Sequence, residues 1–186
     1  MIASASLLML ASGAAHAVVN AVLKSGGDKM SSRALIDGSS ALLILPLAFL
    51  VPLPAGSWGW LFTSISIHFV YLVCLIKAFE GADMSAVYPV MRGSAPVLAA
   101  TVSVLWLRDP ITPAVVAGTL LVSLGTVLVA WWNSPSRRSL GWALATGTMI
   151  ATYTVVDARG IRSTPDAMSY IVWLFLLHGM LIALSF

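Results

Sequence analysis

The sequence predicts an all-α, polytopic membrane helix bundle built on inverted five-helix repeats, the second of them truncated. Three observations lead there. The 186-residue chain is 59% hydrophobic and only 9% charged. Apolar stretches long enough to cross a bilayer follow one another along it. The first stretch also has an internal copy further on. Soluble domains are about 25% charged, so this chain has too few charges to cover a water-facing surface, whereas a lipid-facing exterior needs none. The lone Cys74 excludes an internal disulfide framework. The net charge of +3 is spread over short loops; it reads as an orientation signal and not as a nucleic-acid patch.

A spanning helix needs roughly 20 apolar residues, and seven stretches qualify, at about 3–24, 34–53, 58–79, 85–107, 113–133, 139–157 and 167–186. The breaks between them are short. "KSGGDKMSSR" is polar and glycine-rich, and "VPLPAGS" carries Pro52, Pro54 and Gly56. "EGADMS" offers Asp83 or Ser85 as an N-cap. In "RDPITP", Pro113 suits a first helical turn. "NSPSRRS" and "RGIRSTPD" complete the set. Trp58, Trp60, Trp131, Trp132 and Trp142 fall near span ends, where indole rings sit at headgroup level. The opening "MIASASLLMLASGAAHA" resembles a secretory signal, but it has no basic residue before its apolar run, and the run continues through Val22 and Leu23.

"LASGAAHAVVNAVLKSG" at 10–26 aligns with "LATGTMIATYTVVDARG" at 144–160, matching Leu10 with Leu144, Ala11 with Ala145, Gly13 with Gly147, Ala17 with Ala151, Val22 with Val156 and Gly26 with Gly160. Both copies end in a glycine able to leave a helix. The copies lie five spans apart, so the second enters the membrane from the opposite side, the plan of many secondary transporters. Residues 1–133 then form a first repeat and 134–186 the start of a second, and the chain is expected to be a fragment of a ten-span protein.

Three stretches resemble the drug/metabolite transporter superfamily, specifically the EamA-like permeases. They are "AHAVVNAVLK" (15–24), "FEGADMSAVYPVMRGSAPVLAATVSVLWLRDPITPAVVAGTLLVSLGTVLVA" (79–130) and "GTMIATYTVVDARGIRS" (147–163). Where that family often has Gly-Glu after the fourth span, this chain has Arg108-Asp109. The resemblance implies ten helices in two inverted repeats and transport of small metabolites, most often export, across the inner membrane of the cell. It does not name a substrate.

Polar residues within spans are candidate pathway residues. His16, Asn20 and Lys24 lie on one helical stripe. His68 and Tyr71 share a face of the third span, and Tyr153 and Thr154 lie beside Asp157 in the sixth. Arg92 is the sharpest signal: about seven residues into its span, it sits roughly 10 Å deep, with Tyr88 one turn earlier. Facing lipid, it would cost at least about 2.5 kcal/mol, so it should point into the bundle, toward water, substrate or a carboxylate such as Asp37, Glu80 or Asp83, with snorkelling to the interface as the remaining alternative. The expected substrate-binding set is Arg92, Tyr88, His16, Asn20, Tyr71 and Tyr153.

No metal-ligand spacing, nucleophile motif, phosphate loop or nucleotide signature is present, so the sequence suggests neither an enzyme nor a cofactor. The expected partners are a small-molecule substrate and the bilayer, with no nucleic acid and with a homodimer left open. A lipid-linked sugar or phospholipid flippase and a non-transporting membrane subunit remain as alternatives. Orientation stays open too. The basic residues Lys24, Lys29, Arg33, Lys77, Arg137 and Arg138 flank one side, which the positive-inside rule places in the cytoplasm. Arg108, Arg159 and Arg162 flank the other, and the resemblance implies the opposite placement.

Overall fold

The computed structural model describes residues 28–108, 110, 112–133 and 135–185, together with Leu7, Leu10, Ala11, Ala14, Ala15, Val18 and Val19, which are helical. Among the described residues the protein is all-helical. The helices are α1 (Lys29–Ala48), α2 (Trp58–Glu80), α3 (Met84–Val102, continued by a π-helical turn Ser103–Leu107), α4 (Pro113–Asn133), α5 (Arg137–Arg162) and α6 (Ala167–Ser185). α2 and α6 are long and apolar enough to cross a membrane. Large apolar side chains stand on the exterior, with Leu43 81%, Trp131 82% and Trp132 90% exposed; such a surface suits lipid better than water.

Three boundaries differ from the sequence reading. α1 closes at Ala48 and not near residue 53. α1 opens at Lys29 and not near residue 34, because polar residues read as a break build its first turn. Ser31 donates to Asp28 Oδ2 at 2.6 Å, and the Ser32 hydroxyl and amide donate to the Asp28 carbonyl at 2.7 and 3.1 Å. α5 runs on to Arg162, so Gly160 does not release the helix as expected. It stays helical because the Tyr170 ring packs on its bare Cα, and the end comes at Ser163, whose amide reaches the Arg159 and Gly160 carbonyls at 3.0 and 3.1 Å. Its counterpart Gly26 lies outside the described residues.

Packing divides the chain into two compact units, Met1–Leu50 with Phe175–Phe186, and Val51–Leu174; α6 starts in the second and ends in the first. In the first unit α1 meets α6 through small residues. A Cβ on Gly179 would stand 2.8 Å from that of Ala41, and one on Gly38 would stand 3.0 Å from that of Ala183. This is the close backbone approach that helix pairs in lipid rely on. Arg33 Nε donates to Asp37 Oδ2 at 2.6 Å, and His178 Nε2 lies 3.9 Å from the same oxygen.

The second unit is organised by α5, which packs along both α2 and α3 while those two scarcely touch each other. Gly81 lies against Ser139 at one end, and the loop glycine Gly56 lies near the Ser163 carbonyl at the other, so α2 and α5 are antiparallel. Gly147 fits against Met91 and Ser94, and Arg159 Nη2 donates to the Trp106 carbonyl at 3.0 Å, so α3 and α5 are parallel. α4 packs on α3, with Ser123 Oγ donating to the Gly93 carbonyl at 2.9 Å. Lys77, Arg137 and Arg138 therefore gather at one end of this unit, and Arg108, Arg159 and Arg162 at the other.

The π-helical turn after α3 ends at Arg108, whose φ of 57° is left-handed. A side chain there crowds the following carbonyl, at a cost of about 1–2 kcal/mol that glycine escapes. Arg108→Gly is therefore expected to raise the thermal unfolding midpoint in detergent, and the β-branched Arg108→Val to lower it.

Candidate functional site

α2 and α3 both pack on α5 while scarcely touching each other, and polar and aromatic side chains of these three helices make up the candidate site. Arg92 stands eight residues beyond Met84 in α3, roughly 12 Å along the axis, near the helix midpoint. Its Nε donates to Tyr88 Oη at 3.1 Å, and its guanidinium carbon lies 5.4 Å from the Tyr88 ring centroid. Tyr88 thus contributes both an oxygen and a ring face to the cation. Tyr71 of α2 and Tyr153 of α5 are within electrostatic reach of the guanidinium. All four side chains are half-buried.

The carboxylates that the sequence offered to Arg92 are placed elsewhere. Asp37 is engaged by Arg33, and Glu80 by Lys77 at 2.9 Å. Asp83 is exposed just before α3. Among the described residues no carboxylate forms an ion pair with Arg92.

Tyr153 links this cation to a second group of polar residues. Its ring stacks on His68 at 3.9 Å with 23° between planes, and Tyr71 meets it edge-on at 5.8 Å. His68 Nδ1 lies 2.9 Å from the Ser64 carbonyl and 3.2 Å from the Ser64 hydroxyl. A carbonyl oxygen can only accept, so Nδ1 carries a hydrogen, and in the neutral ring Nε2 is the acceptor. One turn along α5 from Tyr153, Asp157 Oδ1 accepts from Tyr170 Oη at 2.9 Å. The Ser64 hydroxyl and the His68 ring are its other described polar neighbours.

Of the expected site residues, Arg92 contacts Tyr88 and Tyr71 contacts Tyr153, with the two pairs within electrostatic reach of each other, while His16 and Asn20 lie outside the described residues. Sequence reasoning named His68 and Asp157 among the polar residues within spans but left them out of the expected binding set, and it missed Ser64 and Tyr170. The i, i+4 spacing of Ser64 and His68 is a usable signal, since it puts a hydroxyl and a ring on one stripe. Nothing local marks Tyr170, whose hydrogen bond depends on how α6 turns against α5. The set combines a multi-donor cation, tyrosine hydroxyls and aromatic faces, which suits a small solute carrying an anionic group and an apolar body.

No protein-family model, curated protein or solved structure matches the chain.

Proposed function

We propose that this protein is a secondary transporter of EamA-like plan, a multi-pass protein of the inner membrane that exports a small metabolite bearing an anionic group. In this reading the described helices belong to two inverted five-helix repeats, and the solute binds among the polar and aromatic side chains of α2, α3 and α5. The observation that carries it is Arg92: a guanidinium at the middle of an apolar helix, hydrogen-bonded to Tyr88 and within electrostatic reach of Tyr71 and Tyr153. Intramembrane charge is costly and is retained mainly where it lines a pathway or binds a ligand. A flippase would need basic headgroup contacts beyond the single Arg92.

The test is counterflow into liposomes containing the complete protein, with a panel of amino acids, other carboxylates, neutral sugars and cationic drugs. Carboxylate-bearing solutes are expected to exchange above protein-free vesicles, and sugars and cations are not. Exchange confined to sugars or cations would overturn the anionic assignment. Exchange of nothing in the panel, together with scrambling of labelled lipid, would favour the flippase instead.

A further inference from the structure

The mechanism above uses Arg92 and its tyrosines but leaves a carboxylate in the same unit without a task. Asp157 lies five residues before the end of α5, roughly 8 Å inside the helix. The described groups that face it are Ser64 and His68 from α2 and Tyr170 from α6, with Tyr153 one turn away on its own helix. None of them carries a permanent positive charge. Asp37 is the instructive contrast, because it has Arg33 at 2.6 Å and is neutralised by a fixed cation. Arg92 cannot play that part for Asp157. The parallel register of α3 and α5 pairs Ser94 with Gly147 and Trp106 with Arg159, which puts Arg92 about twelve residues, or roughly 18 Å, along the axis from Asp157. Among the described residues, then, no fixed cation faces this cluster, and a proton on the carboxyl or on His68 would balance its charge.

The surrounding geometry is suited to holding one. Tyr170 Oη donates to Oδ1 and fixes the carboxyl group, and the Tyr170 ring is itself held against Gly160, where any Cβ would displace it. Ser64 fixes the His68 ring through Nδ1, which makes Nε2 the basic nitrogen. A proton arriving at the cluster converts a carboxylate and an imidazole into either a neutral acid beside a neutral ring or an ion pair. Both forms are neutral overall, and the bare anion is not.

We propose that Asp157, held by Tyr170 with the His68 ring nearby, is a proton-binding site that couples solute movement at Arg92 to the proton gradient. The link is steric and electrostatic. His68 stacks on Tyr153, which meets Tyr71 edge-on and is within electrostatic reach of Arg92. Gain or loss of the proton changes the charge beneath the Tyr153 ring and, through it, the field at the solute site. This inference rests on the transport reading for its purpose, but the proton site itself can be tested without any solute.

The test uses the complete protein in liposomes. N,N′-dicyclohexylcarbodiimide adds to protonated carboxyl groups in apolar surroundings, and peptide mass spectrometry locates the adduct. Labelling is expected at Asp157 and not at Asp37, and beyond its midpoint it should fall by about tenfold per pH unit as the carboxyl ionises. In parallel, the infrared difference between wild type and Asp157→Asn should contain a protonated-carboxyl stretch that disappears as pH rises, and in His68→Gln its pH profile should move. A band or adduct at Asp157 that ignores pH overturns the proposal, as does the absence of both at every pH. Because no solute is added, a failed counterflow assay sinks the transport reading and leaves the proton site standing. A flat titration beside successful counterflow does the reverse.

Discussion

Arg92→Ala is expected to lower counterflow of an anionic solute by roughly 10- to 100-fold at unchanged expression. A hydrogen bond to a charged group contributes about 1.5–3 kcal/mol, and each 1.4 kcal/mol is about tenfold in binding. The guanidinium offers five donors in a planar fork, one of which is given to Tyr88 Oη at 3.1 Å. Arg92→Lys keeps the charge but loses the fork, so it should fall between alanine and wild type. Tyr88→Phe removes the oxygen that steers Nε while keeping the ring 5.4 Å from the cation. It should raise the solute concentration for half-maximal exchange by a few-fold and leave the maximal rate close to wild type, because most of the cation–π attraction, about 0.5–2 kcal/mol, survives. Wild-type exchange in both Arg92→Ala and Arg92→Lys, at equal protein levels, would mean that the side chain serves neither solute nor fold. Loss of expression in Arg92→Ala, repaired by neutralising a carboxylate, would mean a structural ion pair instead.

Legibility in the sequence followed the kind of signal each feature leaves. α2 and α4 begin at Trp58 and Pro113, where Pro and Gly punctuate an apolar run and the first turn has a residue suited to it. Two of the misplaced boundaries, the start of α1 and the end of α5, fall where polar or glycine residues do helical work. Asp28, Ser31 and Ser32 cap α1, and Gly160 accommodates the Tyr170 ring. Composition alone cannot tell a capping turn from a loop, or a packing glycine from a terminating one. In the candidate site, the Arg92 and Tyr88 pair was readable because both residues lie on one helix at i, i+4. The contacts of Asp157 with Tyr170, and of His68 with Tyr153, were not. Each joins two helices whose relative rotation is set by glycine contacts, Gly81 against Ser139 for α2 and α5, and Gly160 against Tyr170 for α5 and α6. A hydropathy profile carries no trace of that rotation. The pairings of Asp37 with Arg33 and of Glu80 with Lys77 lie at i, i+4 and i, i+3 on single helices, so they were as readable as Arg92 with Tyr88, although the sequence reading did not use them.

Gly93→Ala is expected to destabilise the protein by about 1–3 kcal/mol, the usual cost of overpacking a fitted interface, and Gly93→Leu to abolish expression. A Cβ at Gly93 would stand 2.7 Å from the Cβ of Thr126, with the Thr126 hydroxyl closer still. Neither side can yield easily. Thr126 Oγ1 donates to the Val122 and Ser123 carbonyls at 3.0 and 2.9 Å, and Ser123 Oγ donates to the Gly93 carbonyl at 2.9 Å. The helices must therefore move apart, and α3 carries Arg92 with it, so exchange should fall further than stability. Gly125 is the internal control. It lies on α4 with nothing within 4 Å of a built Cβ, so Gly125→Ala should stabilise by about 0.5–1 kcal/mol through helix propensity alone. Thr126→Gly costs about 1 kcal/mol by itself, yet combined with Gly93→Ala it should give a favourable coupling of about 1 kcal/mol or more, because it removes the atom that the new methyl meets. Thermal unfolding in detergent reads all four variants. Equal midpoints for Gly93→Ala and Gly125→Ala would show that α3 and α4 do not meet as closely as described, and would detach the position of Arg92 from this contact.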